Sequence, residues 1–260
     1  MDEYLELAVE VATSAGKLLR EGIDKIAWVK HKGEINLVTE MDVKSEEFIK
    51  ERILRACPGH QILAEESDIP KKQAAYRWIV DPLDGTMNYA HGYPIFCVSV
   101  ALEIEGVVEV GAVYDPMLDE LFTGKRGGGA MMNGESIAVS ETDDLNDSLV
   151  ATGFSYDIRT SRANNIDNWN AMILRAQAVR RAGSAALDLC YTAMGRFDGF
   201  WELKLNPWDV AAGALFVQEA GGTLSRLGGE PFSIYSQETV ASNGKIHSQM
   251  IEILRKGARP

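Results

Sequence analysis

Apolar positions recur at helical spacing near the start of the chain. Leu5, Ala8, Val9, Ala12, Ala15 and Leu19 fall along one side of a helix over residues 3–21, with Gly22 just past its end. A turn-rich stretch from Lys30 to Asn36 follows. A second amphipathic helix opens at Asp42, turns Phe48, Ile49, Ile53 and Leu54 inward, and is stopped by Pro58-Gly59. Ile62 to Ala64 and Trp78 to Val80 read as short strands, the first running into Glu65-Glu66 and the second into Asp81. Ile95 to Leu102 and Val107 to Tyr114 make a hairpin through Glu105-Gly106, and Asn133-Gly134 marks another. After Leu149 to Thr152 strand-like and helical pieces alternate, through Ala185 to Met194, Phe197 to Trp201, Pro207 to Ala220 and Thr239 to Ser242. The chain ends on a helical stretch from His247 to Arg255. That alternation is the pattern of βα units with some parallel pairing.

The change of character near residue 145 divides the chain into an α+β half (1–145) and an α/β half (146–260). No Pro/Gly/Ser linker or internal repeat separates them, so one compact unit is expected. The 260 residues are 46% apolar and 25% charged, the composition of a globular enzyme rather than a disordered tail. A net charge of −12 argues against a nucleic-acid partner, which needs a basic footprint. Cys57, Cys97 and Cys190 are odd in number and show no CxxC spacing, which favours reduced thiols over disulfides or zinc. The acidic start and the lack of a long apolar run lead to the expectation of a cytoplasmic protein without a membrane anchor.

The chemistry concentrates in Asp81-Pro82-Leu83-Asp84-Gly85-Thr86-Met87-Asn88-Tyr89. A strand delivers Asp81, Pro82 bends the chain, and Asp84 can turn back toward Asp81. Two carboxylates so close repel unless cations sit between them, and hard oxygen ligands of this kind suit Mg²⁺. Gly85-Thr86 adds backbone N–H groups where an anion is attracted. An ordinary Asp-Pro, Asp-Gly turn is the alternative. Against it stand Glu65-Glu66 at the end of another strand and Asp209 near the start of an otherwise apolar helix. Asp209 alone could simply be a residue favoured by the helix dipole. Acids arriving from three separate segments are what a multinuclear metal site needs.

Glu65-Glu66, the Asp81 to Asn88 motif and Trp208-Asp209-Val210-Ala211-Ala212-Gly213, in this order, resemble the signatures of the inositol monophosphatase family. Leu37-Val38-Thr39 followed by Asp42 resembles its threonine–aspartate segment. The resemblance spans nearly the whole chain; it departs at Ala64, where the family often has glycine. It implies a layered α-β-α-β-α sandwich and two to three Mg²⁺ ions. One ion would be held by Glu65, Asp81 and the carbonyl of Leu83, a second by Asp81, Asp84 and Asp209, and a third, weaker one near Glu65 through water. It implies a water held by Glu65 and Thr86, with Asp42 orienting the Thr86 hydroxyl and Glu66 in support. It also implies substrate contacts from Asp84 and Asp209, a phosphate cradle from the Gly85 and Thr86 backbone N–H groups, and contacts to the alcohol from Gly183, Ser184, Ala185 and Glu202. Lys30-His31-Lys32 lies where the family carries a mobile, lysine-containing loop and is read as a solvated turn. Tyr156 to Asn170 matches no signature and is read as a subunit contact or substrate rim.

The implied activity is hydrolysis of a small phosphorylated polyol, inositol 1-phosphate first, in a lithium-sensitive homodimer. Fructose 1,6-bisphosphate, alone or as a second activity, and then histidinol phosphate are the alternatives. A regulatory binding protein on the same fold is the non-enzymatic one. The scattered histidines give no zinc spacing. Gly127-Gly128-Gly129 fits no phosphate-loop spacing and reads as a β-turn.

Overall fold

The computed structural model describes residues 1–67 and 74–257. Helix α1 (Asp2–Gly22) leads into a two-stranded arm, β1 (Val29–His31) and β2 (Leu37–Thr39), and then α2 (Glu40–Ala56). Next come β3 (Gln61–Ala64), β4 (Tyr76–Asp84) and the short α3 (Thr86–Ala90). Strands β5 (Cys97–Ile104), β6 (Val107–Asp115), β7 (Glu120–Lys125), β8 (Gly129–Met132) and β9 (Glu135–Ser136) complete the first half. The second half runs β10 (Leu149–Thr152), α4 (Ile166–Ile173), β11 (Ala178–Arg180), α5 (Ala185–Ala193) and β12 (Gly199–Leu203). It ends with α6 (Pro207–Glu219), β13 (Thr223–Ser225), β14 (Glu238–Ser242) and α7 (His247–Gly257).

Strands β3 to β9 form one sheet in sequence order, antiparallel except where β3 joins β4. The second sheet is ordered β11-β10-β12-β14-β13; β10 runs parallel to both its neighbours, and β14 runs antiparallel to its own. Strands of the first sheet are apolar on both faces because helices cover both. Trp78, Val80, Val98 and Val100 face the core under α1 and α2, whereas Ile79, Cys97, Ala101 and Val113 face the core shared with α5 and α6. On the far side of the second sheet, Val150 and Trp201 pack with Met172 of α4 and Met250 and Leu254 of α7. The result is a five-layer α-β-α-β-α sandwich. No helix among the described residues is long and apolar enough to cross a membrane.

Three sequence readings are corrected. Lys30 to Asn36 is no mere turn but the tip of the β1–β2 arm, with Lys30 paired to Val38. Helix α2 starts at Glu40, before Asp42. Thr39 caps it through Met41 N–H, and the Asp42 side chain reaches back to Thr39 N–H at 2.8 Å, a capping box worth about 1 kcal/mol. Leu54 is 42% exposed, on the solvent side of that helix, whereas Ile49 and Ile53 are buried.

Helix α6 is apolar all round because it lies between the two sheets. Its approach to α5 depends on Gly213, where a Cβ would lie 2.5 Å from Leu189 Cβ. Gly213→Ala should therefore lower unfolding free energy by about 1–3 kcal/mol even though alanine favours helix. Denaturant titration checks this; an unchanged or higher midpoint would mean the helices have slack.

Candidate active site

The backbone of β4 decides where the first two acids point. Successive strand residues alternate faces, so Asp81 and Asp84, an odd number apart, would face opposite ways in a regular strand. In the structure Asp81 pairs with Ser99 and Asp84 with Cys97, so three steps along β4 oppose two along β5. This bulge, at Pro82-Leu83, turns both carboxylates to the face that Ile79 shares, toward α5 and α6. Pro82 has no N–H to lose from the ladder, and its carbonyl accepts a hydrogen bond from Ser45 of α2 at 2.7 Å.

Each acid has one oxygen fastened. Leu83 N–H donates to Asp81 Oδ1 at 3.0 Å. Ser184 Oγ and Ala186 N–H, at the start of α5, donate to Asp84 Oδ2 at 2.6 and 2.8 Å. Asn206 N–H donates to Asp209 Oδ2 at 2.6 Å across the first turn of α6. An oxygen from each of Asp81, Asp84 and Asp209 then lies within 4.8 Å of the others. Burial pushes all three carboxyls up, and mutual repulsion adds to it for Asp81 and Asp209. The hydrogen bonds from Ser184 and Ala186 partly counter it at Asp84.

This donor set fits a hard divalent cation. It offers carboxylate oxygens only, in a cluster whose ionised form needs a cation to be stable. The nearby Cys97 thiol does not compete as a soft ligand, because burial and Asp84 push it well up and keep it protonated. Leu83 and Glu65 line the same cavity, of about 330 Å³. Glu65 stands beside the aspartate triad and its Oε1 is 3.3 Å from Lys32 Nζ. Its acid is raised to about 7, by burial first and then by Glu66 and Asp42 against the pull of Lys32.

Lys32 overturns the solvated-turn reading. From the tip of the arm it reaches both Glu65 and Glu66. Burial lowers its ammonium, but the two carboxylates outweigh that and hold it above its ordinary value. Glu66 is otherwise tied by its N–H to Glu46 of α2 at 2.8 Å.

Thr86 and Asp42 meet as the resemblance implies, with Thr86 Oγ1 donating to Asp42 Oδ1 at 2.7 Å. Asp42 is wholly buried and takes two more hydrogen bonds from Thr39. Gly85 has φ 98°, and a Cβ there would lie 2.9 Å from the Ile95 carbonyl, so only glycine fits the turn into α3. Asn88 ties this turn to the second half through the Ala182 carbonyl at 2.9 Å.

Gly183, Ser184 and Ala185 line the cavity beside Asp84, and the Ser184 hydroxyl is buried and committed to that acid. Glu202 of β12 lines the wall, its acid raised to about 8 by burial, against the pull of Arg181 and helped by Asp84. It lies over Gly153, where a Cβ would come within 2.3 Å of both its carboxylate oxygens. Ser155, Tyr156 and Ile158 contribute rim, so the start of the unassigned 156–170 segment belongs to the cavity and its later part forms α4. Sequence reasoning missed Asp188 and Arg181, which also line the cavity. Asp188 follows the Gly183 to Ala185 segment by one helical turn, a signal that was available. The Gly127 to Gly129 turn behaves as the bland reading had it, Gly127 and Gly129 N–H groups holding Glu219 of α6.

A profile of the inositol monophosphatase family matches residues 1–258. The chain is 42% identical over 256 residues to an inositol-1-monophosphatase of Synechocystis, covering 98% of this chain and 89% of that one. It is 38% identical to a fructose-1,6-bisphosphatase/inositol-1-monophosphatase of Aquifex aeolicus, covering 98% and 97%. Its fold superposes on an inositol monophosphatase structure from Anabaena with a TM-score of 0.90 at 43% identity, covering 98% and 96%. With the acids of β4 and α6 gathered as the motifs require, this chain belongs to the inositol monophosphatase family of phosphoric monoester hydrolases.

Proposed function

We propose that the protein hydrolyses the phosphate ester of a small polyol, inositol 1-phosphate first, with Mg²⁺ as its metal. The observation that carries this is the convergence of Asp81, Asp84 and Asp209 in a cavity that Glu202 also lines. Asp81, Asp84 and Asp209 would hold one ion, and Glu65, Asp81 and the Leu83 carbonyl another. When bound, the metal supplies Lewis-acid polarisation and neutralises charge on the phosphoryl oxygens.

The chain's own residues do the rest. The proton of the Thr86 hydroxyl goes to Asp42, so Thr86 presents a lone pair to the cavity and can accept a hydrogen bond from a water. The Thr86 hydroxyl also lies 3.1 Å from the Leu83 carbonyl, but its one proton is better spent on the shorter, charge-assisted bond to Asp42, which leaves that carbonyl available. Glu65 offers a second acceptor from the adjoining wall, so two acceptors orient one water for in-line attack. Gly85 and Thr86 bring backbone N–H groups to the phosphate. Glu202 accepts from hydroxyls of the alcohol. A dual activity on fructose 1,6-bisphosphate is the second reading; it is favoured by exposed Arg181 on the cavity wall, which could meet a second phosphate, and by the Aquifex relative.

Phosphate release with Mg²⁺ from inositol 1-phosphate, fructose 1,6-bisphosphate and histidinol phosphate, side by side, tests the substrate. The highest kcat/KM should be on inositol 1-phosphate; release from none of them would sink the reading. Asp209→Asn should cut kcat by roughly hundredfold or more while the circular dichroism spectrum is kept, because a ligand is lost and no core packing. Wild-type turnover in that variant would remove Asp209 from the site.

The buried acids also set a pH dependence. Glu65 and Glu202 rise from an ordinary 4.5 to about 7 and about 8 in the folded protein. Between those limits the folded state keeps protons that the unfolded chain has lost, so metal-free stability falls as pH rises from 4.5 to 8. A cation binds the ionised cluster, so the gain in Tm on adding Mg²⁺ should be larger at pH 8 than at pH 5. The difference between paired melts isolates the cluster from half-buried His247, whose lowered pKa acts in the opposite sense. A gain independent of pH would contradict the assignment.

A further inference from the structure

Asp188 is 1% exposed, lines the cavity, and has an Oδ1 with no hydrogen-bond partner. It sits one turn into α5, beyond the Ser184 and Ala186 groups that hold Asp84, and takes no part in that hold. Its backbone carbonyl is used by the Thr192 hydroxyl at 2.8 Å, an ordinary helix bond that leaves the carboxyl out. A buried polar atom without a partner keeps its desolvation penalty uncompensated, and natural chains keep few of them. The burden here is placed where a ligand would relieve it.

The charged groups facing Asp188 are Glu202 from β12, Asp84 from β4 and, with opposite sign, Arg181 from the loop before α5. Two carboxyls from different elements thus share one stretch of the cavity wall, next to Asp84 of the triad. A phosphate would be repelled by that pair. A polyol is the fitting ligand, because each hydroxyl brings an O–H donor that a carboxyl accepts at no cost in charge. A single carboxyl can register that a hydroxyl is present; two on separate elements register how two hydroxyls are spaced.

We infer that Asp188 is a specificity-determining residue which, paired with Glu202, reads two hydroxyls of the polyol. The inference rests on the polyol phosphatase reading and deepens it. It makes the alcohol end a two-point recognition site, with Arg181 at the rim offsetting the carboxyl charge.

The test measures kcat/KM with Mg²⁺ for inositol 1-phosphate and for p-nitrophenyl phosphate, whose leaving group carries no extra hydroxyl. Wild type, Asp188→Asn, Asp188→Ala and Glu202→Gln are compared. The ratio of the two values should fall about 10- to 100-fold in Asp188→Ala, the size of one lost hydrogen bond to a buried acid. Asp188→Asn, which keeps one acceptor, should lie between it and wild type. Melting curves and Mg²⁺ titration of each variant separate this from loss of fold or of the Asp84 support. A ratio that stays at the wild-type value, or equal losses on both substrates, would make Asp188 a structural residue and overturn the inference. A wild type that does not prefer the polyol ester would instead overturn the polyol reading itself, whatever the variants do.

Discussion

The structure is organised around crowded negative charge in its interior. Asp81, Asp84 and Asp209 meet between two sheets, where desolvation alone makes an ionised carboxylate costly. The chain manages this by fastening one oxygen of each acid to a nearby N–H or hydroxyl, which fixes its direction and leaves the second oxygen for the shared centre. The same device appears twice at a helix start. Asp42 and Asp209 each sit at the third position of a helix and reach back to the residue before it. A stabilising cap and a buried carboxylate are then one residue, and the strain of holding an acid in the interior is shared with ordinary helix formation.

Helices α5 and α6 must come close to β4 for this to work. The first sheet makes room with small residues. Gly111 lies against Ala212 and Phe216, where a Cβ would have a neighbour at 3.1 Å, and Gly124 lies against the Phe216 ring. Packing and chemistry are consequently hard to separate in the middle layer. The acids lie at the ends of elements whose positions are set by contacts several residues away.

Much of the acidic cluster was legible in the sequence because its signals are local. A strand ending in an acid, a proline, a second acid and a glycine-threonine step can be read within one window, and so can an aspartate just inside an apolar helix. The bulge that makes the spacing of Asp81 and Asp84 work is also local, but it shows only in the pairing with β5. The Thr39 and Asp42 cap is equally local, and it starts α2 at Glu40, two residues before the Asp42 start that the apolar pattern predicts. What could not be read is what long-range geometry brings. Lys32 lies 3.3 Å from Glu65 because the arm brings its tip to the end of β3. Glu34, in the same tip, pairs with Arg159 of the loop between β10 and α4. Nothing in either segment's own pattern encodes such a meeting, since exposed polar residues carry no periodic signal. Asp188 had a local signal in its place one turn after Gly183 to Ala185, but an acid one turn into a helix looks like a dipole-compensating residue unless its missing partner is seen.

Gly153 carries a consequence for how this protein can change over generations. It lines the cavity without a side chain, and the carboxylate of Glu202 fills the space so left. Mutational drift at this position would reshape the cavity through displacement of Glu202, without altering any of its acids. Inheritance of the cavity's shape is thus lodged partly in an empty volume, and lineages that keep every acid of the cluster could still diverge in it.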